Sequence, residues 1–126
     1  MSLKEKCKIL EFKELGDERG KLVAIEALKD IPFEIKRVFF IYGTDSKSIR
    51  GQHANKKSEF VLINLNGSCK VRLYDDSEEY IVELNKPYIG VYIPKMVWKD
   101  MYSFSSDAIL LSLSNELYDK DEYIRK

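Results

Sequence analysis

Short runs rich in β-branched and aromatic residues recur along the whole chain, at 7–12, 20–26, 37–42, 59–65, 68–74, 79–84, 88–93 and 108–114. Little helical periodicity separates them, so the series cannot supply the crossover helices that a parallel α/β sheet requires. It predicts an all-β chain built as a sandwich or a barrel. Cys69, Val71 and Leu73 alternate with Lys70, Arg72 and Tyr74, which turns one face of that strand inward. Asn66-Gly67 tolerates positive φ at both residues and predicts a hairpin between the runs on either side; Asp75-Asp-Ser77 predicts a second. Lys86-Pro87 and Pro94 cannot donate to an interior ladder and mark corners. In 116–126, Leu117, Tyr118, Tyr123 and Ile124 sit among charged residues, the pattern of a short amphipathic C-terminal helix covering one opening of the barrel.

A chain of 126 residues is long enough for one hydrophobic core and too short for two, so a single domain over 1–126 is expected. Its 21 basic residues balance 21 acidic ones, which leaves no global positive field to hold a nucleic-acid backbone. The opening Met1-Ser-Leu-Lys-Glu-Lys6 carries charge where a signal peptide needs an apolar core, and no apolar run reaches membrane-spanning length. A cytoplasmic location without membrane contact is expected. Cys7 and Cys69 have neither C-x-x-C spacing nor the density of a disulfide scaffold, and both are read as free thiols.

His53 is the only histidine, which excludes any mechanism that needs two imidazoles. Gly51, His53, Asn55, Glu59 and Gly67 follow the outline of the first cupin motif, with Asn55 at the place of its second histidine; Gly90-Val-Tyr-Ile-Pro94 resembles the second motif. That resemblance implies a cupin, the double-stranded β-helix or jelly-roll barrel, with His53 and Asn55 on one face of a strand pointing inward. Trp98 and Lys99 stand where the second motif's histidine ligand is expected, so a lone imidazole and Glu59 cannot assemble a usual metal site. Without a metal, Glu59 is left to orient His53 or to pair with a lysine.

The blocks Asp17-Glu-Arg-Gly-Lys-Leu-Val-Ala-Ile-Glu26, Ile31-Pro-Phe-Glu-Ile-Lys-Arg-Val38, Arg50-Gly-Gln-His-Ala-Asn-Lys-Lys57, Asn66-Gly-Ser-Cys-Lys-Val71, Val97-Trp98, Phe104-Ser-Ser-Asp107 and Asp121-Glu-Tyr-Ile-Arg125 span nearly the whole chain. In order and content they resemble the dTDP-4-keto-6-deoxyglucose 3,4-ketoisomerases of the WxcM-like group. The resemblance implies a homodimer that exchanges N-terminal strands, a dTDP-linked 4-keto-6-deoxy sugar in the barrel, and isomerisation without cofactor or metal. His53 is then the base that takes the C3 proton, a role imidazole suits because it titrates near working pH.

Arg37 and Arg50 match family arginines and are expected to clamp the diphosphate as bidentate forks. Lys57 shares the parity of His53 and Asn55 and adds charge; Tyr92 and Trp98 offer flat faces to a sugar or thymine ring. The family pattern R-G-x-H-A-H-K is broken at Asn55, which can hydrogen-bond a hydroxyl or an enediolate oxygen but cannot shuttle a proton. Either His53 transfers the proton alone, or water or a tyrosine completes the cycle, or activity is low. A binding-only cupin, degenerate at Asn55, is the alternative. Lys99 replaces the His or Arg of relatives, Phe39 and Phe40 replace tyrosines of some, and Arg19 and Lys99 are the positions expected to influence which face of C4 is protonated.

Overall fold

The computed structural model describes residues 1–125. A single-turn helix, α1 (Leu3–Lys6), opens the chain behind a capping box in which the Ser2 hydroxyl accepts from Glu5 N–H and the Glu5 carboxylate accepts from Ser2 N–H. Strands follow at β1 (Ile9–Glu11), β2 (Glu14–Asp17), β3 (Gly20–Val23), β4 (Arg37–Tyr42), β5 (Arg50–Asn55), β6 (Phe60–Asn66), β7 (Cys69–Tyr74), β8 (Glu79–Leu84), β9 (Ile89–Ile93), β10 (Trp98–Tyr102), β11 (Ile109–Ser114) and β12 (Tyr123–Ile124). They assemble into two five-stranded antiparallel sheets, ordered β1-β9-β6-β11-β4 and β12-β5-β10-β7-β8, with β2 and β3 as a separate two-stranded ribbon. Face-to-face sheets of this kind form the jelly-roll barrel expected of a cupin.

The main core lies between the sheets, where Phe60, Leu62, Val71, Leu73, Val91, Ile93 and Leu110 meet, sealed at one end by Leu3 and Cys7. Burying each such aliphatic side chain stabilises the fold by about 1.5–3 kcal/mol. β6 is buried on both faces: Phe60 and Leu62 point into this core, while Val61 and Ile63 join Phe12, Ile31 and Phe33 in a second layer outside the sheet. Its sequence is therefore a continuous apolar run, whereas β7 keeps the expected alternation, with Cys69, Val71 and Leu73 buried between half-exposed neighbours. Cys7 and Cys69 are buried free thiols.

The turn residues act partly as expected. Asp75 closes the β7–β8 hairpin, its Oδ1 accepting from the N–H groups of Ser77 and Glu78. Lys86-Pro87 and Pro94 mark the points where the chain leaves one sheet for the other. Asn66-Gly67 does not close a hairpin. Gly67 has φ +67°, as the dipeptide predicts, but β6 pairs with β9 and β11 while β7 pairs with β8 and β10. The turn is instead tied to the loop before β11: Ser68 N–H donates to Ser105 Oγ, and Asn66 Nδ2 donates to the Asp107 carbonyl. A tight turn chooses a local backbone path, and which sheet each flanking strand joins is decided by long-range burial.

The closing segment also differs. Its helical part contracts to one 3-10 turn at Lys120–Glu122, and Tyr123–Ile124 become β12, paired with Asn55 and Ala54 of β5. The buried Glu122 carboxylate accepts from the N–H groups of Lys57 and Ser58 and from the Ser58 hydroxyl, a link that one face of an amphipathic helix could not make. The segment does cover the barrel opening; the last position of the expected helix, 126, lies outside the described residues.

β5 carries the irregularity that shapes the molecule's open end. Gly51 (φ +83°) and Gln52 (φ +56°) are both left-handed, and the pairing with β10 slips there, from Lys99 opposite His53 to Asp100 opposite Gly51. This is a β-bulge. A Cβ on Gly51 would stand 2.9 Å from the Lys99 carbonyl oxygen, so both conformation and space require glycine. Gly51→Ala is expected to cost about 1–3 kcal/mol, read as a fall of roughly 3–15 °C in melting temperature by calorimetry.

Candidate functional site

The bulge aims His53 into a cavity of about 350 Å³ between the sheets, opening beside the C-terminal segment. The imidazole Nδ1 lies 2.9 Å from the Gly51 carbonyl oxygen. A carbonyl only accepts, so Nδ1 carries the proton and Nε2 keeps its lone pair. Burial, reinforced by the nearby Lys99 ammonium and only partly offset by the Gly51 carbonyl, holds the ring's pKa down to about 4. The imidazole is therefore neutral through the physiological range, with one basic nitrogen.

Lys99 reaches the same cavity from β10 and is 3% exposed. Its Nζ donates to Asn55 Oδ1 over 2.9 Å and sits 4.3 Å from the centroid of the Phe60 ring. Burial brings its pKa down to about 7, with Glu122 the acidic group pulling the other way. Because an ammonium only donates, Lys99 also fixes which way the Asn55 amide is turned. Asn55 is itself buried behind His53; among the described residues its Nδ2 meets no partner in full hydrogen-bond geometry, though the amide lies near enough to Glu122 to help lower that carboxylate.

The C-terminal segment builds the opposite wall. Glu122, anchored as described, is held below the usual carboxylate range: burial raises it, but hydrogen bonds from Ser58 and the Lys57 N–H outweigh that cost. β12 then places the Tyr123 ring 4.5 Å from the His53 ring. Arg37 Nη1 donates to the Tyr123 hydroxyl over 3.4 Å while its guanidinium lies over Phe39 and Tyr118. Arg125 packs over Tyr123, and Arg50 stands exposed at the mouth. Arg37, Arg50, Lys99 and Arg125 line the cavity and, among the described residues, no carboxylate does, so a chain of zero net charge presents a locally cationic chamber.

Of the residues expected at the site, His53, Arg37, Arg50 and Lys99 come together in this cavity, with Asn55 directly behind. The others lie elsewhere in the chain. Arg19 sits exposed at the tip of the β2–β3 ribbon in a 2.7 Å ion pair with Asp17. Lys57 turns outward to Asp119 at 3.2 Å, because β5 has already ended at Asn55 and strand parity no longer applies. Tyr92 donates its hydroxyl to Glu59 and packs by Phe33 in the outer apolar layer, which leaves Glu59, bonded also by Asn115, with neither His53 nor a lysine. Trp98 alternates outward from Lys99, its Nε1 donating to Asp100 and its ring 5.5 Å from that of Tyr74, over a separate shallow depression.

Tyr123, Arg125 and Phe39 are among the cavity residues that the sequence does not announce. The usable signal is the period of two in Tyr123-Ile-Arg125: the outer pair faces the cavity while Ile124 faces the depression beside Trp98. Among the described residues, no group of three His, Cys, Asp or Glu side chains is arranged to hold a metal ion.

A search for similar proteins matches residues 5–126 to the family described as FdtA: WxcM-like, C-terminal. A TDP-4-oxo-6-deoxy-α-D-glucose-3,4-oxoisomerase from Aneurinibacillus thermoaerophilus is 46% identical over 119 residues, 94% of this chain and 86% of that protein. The 3,4-ketoisomerase QdtA from Thermoanaerobacterium thermosaccharolyticum, solved with TDP, superimposes with a TM-score of 0.94 at 45% identity, over 96% of this chain and 88% of that one. A His-to-Asn variant of QdtA solved with TDP-4-keto-6-deoxyglucose gives a TM-score of 0.95 at 44% identity, covering 98% and 90%. The barrel, the cavity with its single neutral imidazole and these matches agree: the chain belongs to the FdtA, WxcM-like family of cupin sugar-nucleotide 3,4-ketoisomerases.

Proposed function

We propose that this protein moves the keto group of a TDP-4-keto-6-deoxyhexose from C4 to C3 through an enediolate, without metal or cofactor. The observation that carries the reading is the chamber itself: one neutral imidazole with a bare Nε2, surrounded by Arg37, Arg50, Lys99 and Arg125. A C4 carbonyl acidifies the hydrogen on C3, so a positioned base can remove it, and cations stabilise the enediolate oxygens as charge develops. Arg37 and Arg50 suit the diphosphate as planar forks. Family relatives solved with TDP or with TDP-4-keto-6-deoxyglucose support the substrate class. The 3-keto product is the substrate a transaminase needs to make a 3-amino sugar, which fits a place in surface-glycan and O-antigen synthesis. Buried free thiols at Cys7 and Cys69 fit a cytoplasmic setting.

The binding-only alternative draws on Asn55, which removes a titratable group from the family pattern. Proton exchange decides between the two. Incubation with TDP-4-keto-6-deoxyglucose in deuterium oxide is expected to introduce deuterium at C3 of recovered substrate and at C4 of product, followed by NMR. No exchange at either carbon would leave only binding. His53→Ala is expected to lower conversion by about 10²- to 10⁴-fold, with TDP affinity by calorimetry changed little, since the diphosphate is held by the arginines.

A homodimer that exchanges N-terminal strands belongs to the same reading. The β2–β3 ribbon pairs with neither sheet and exposes Leu15 and Leu22, while β4 is an open edge presenting Val38, Phe40 and Tyr42 to solvent. An unpaired edge with an apolar face is a template for strand addition. Docking the ribbon there also carries Arg19 onto a second copy. Light scattering is expected to give a mass of twice 14.7 kDa, and Phe40→Asp to shift the protein toward monomer while circular dichroism stays that of a β fold.

A further inference from the structure

Asn55 leaves His53 without an imidazole partner, and the side chain bonded to Asn55 is Lys99. We propose that Lys99 is a second catalytic residue, the acid that delivers a proton to C4 of the enediolate that His53 creates. This rests on the ketoisomerase reading above. Four features of the structure carry it. Lys99 lines the cavity that holds His53, and the two residues are direct partners across the β5–β10 pairing. Its ammonium makes no salt bridge among the described residues, so no carboxylate locks the proton in place. The Asn55 oxygen and the Phe60 face hold the amine in one position without neutralising it. It is almost wholly buried, which no ordinary solvated lysine is.

The groups around it set its acidity. From β5 come His53, Asn55 and Arg50, from β4 Arg37, and from the C-terminal segment Tyr123, Arg125 and Glu122, the last the acidic member. Desolvation outweighs Glu122, and the resulting value of about 7 allows the amine to give up and regain a proton near neutrality. An arginine cannot do this, and Asn55 has no proton to give.

The step balances. His53 Nε2 takes the C3 proton, the C3–H electron pair forms the C3=C4 bond, and the carbonyl π pair moves to O4. The O3 hydroxyl proton passes to O4. The O3 electron pair then forms C3=O3, the C3=C4 pair takes a proton from the Lys99 ammonium, and C4 gains its hydrogen. Lys99 is left neutral and His53 protonated; a proton returned to Lys99, directly or through water, restores both.

The test separates the two carbons. In deuterium oxide with TDP-4-keto-6-deoxyglucose, Lys99→Arg, which keeps the cationic charge beside the enediolate, is expected to hold His53-driven exchange at C3 within about threefold of the parent rate, while Lys99→Met is expected to slow it. Both should lose about 10²- to 10⁴-fold in formation of the 3-keto product. In the parent, product formation should decline as pH rises past about 7, where Lys99 loses its proton, and the residual rate of Lys99→Arg should lack that decline. Thermal stability of Lys99→Met should be equal or higher, because a desolvated ammonium costs more than a methionine in the same place. Conversion by Lys99→Arg within about tenfold of the parent would show that charge alone is needed and overturn the proposal. So would a parallel loss at C3 and C4 in Lys99→Arg, which marks a merely structural role. Absence of both exchange and conversion in the parent itself would remove the ketoisomerase reading and this inference with it.

Discussion

The antiparallel pairing of β5 with β10, with its bulge at Gly51 and Gln52, is the constraint on which the open end of the barrel depends. An unbulged strand would carry one parity from Arg50 through Asn55. The slip changes the phase, so that His53 and Asn55 point into the barrel while the Gly51 carbonyl turns toward the His53 ring. One local distortion thus sets the direction and the tautomer of the only imidazole, and burial beside Lys99 keeps it neutral. The same register brings Lys99 opposite His53 and leaves its carbonyl packed where any side chain at 51 would have to go. Conformational permissiveness at one glycine and chemistry two residues later are the same requirement.

A second consequence concerns charge. The interior end of the barrel holds a buried ammonium that has no ion-pair partner among the described residues, an arrangement that costs stability and is usually avoided. Here the cost is moderated in three ways. Asn55 supplies a neutral acceptor, Phe60 supplies a ring face, and a lowered pKa leaves the amine partly neutral near pH 7. Between about pH 7 and the usual lysine range the unfolded chain binds more protons at this group than the folded one, so its burden on the fold lightens as pH rises. The barrel tolerates this because the antiparallel ladders and the core between the sheets carry its stability elsewhere.

Much of the architecture was legible in the sequence because antiparallel strands write burial directly as a period of two, as β7 does, and because prolines at 87 and 94 forbid continued pairing. What escaped notice obeyed other rules. β10 reads Trp98-Lys-Asp-Met-Tyr102, with Lys99 and Met101 on its inner face and a buried Asp100, ion-paired to Arg72, on the other; buried polar residues on both faces erase the hydrophobic signal. Asn66-Gly67 announced a turn correctly and its pairing wrongly, since turn propensity is local and sheet membership is not. The site followed the same division. Arg37 of β4 and Arg50 and His53 of β5 meet in one cavity, whereas Lys57 and Trp98 lie just past a strand end or on the opposite face, where motif position and side-chain direction part company.

The C-terminal segment shows why an end so rich in charge and aromatic rings is nonetheless ordered. Its two-residue strand could not hold itself in place, for so short a ladder contributes little. What holds it is Glu122, whose carboxylate satisfies two backbone N–H groups freed where β5 ends, and a hydroxyl beside them. Charge-assisted bonds of this kind are roughly twice as strong as neutral ones, and burial protects them from salt. The anchor lies next to Asn55 in the ladder, since Tyr123 pairs with it, so the wall and the floor of the cavity share one strand. His53, Lys99 and Tyr123 are therefore positioned by one framework centred on β5, and a change in any of its three fixings, the bulge, the Asn55 amide or the Glu122 carboxylate, must be felt at the imidazole.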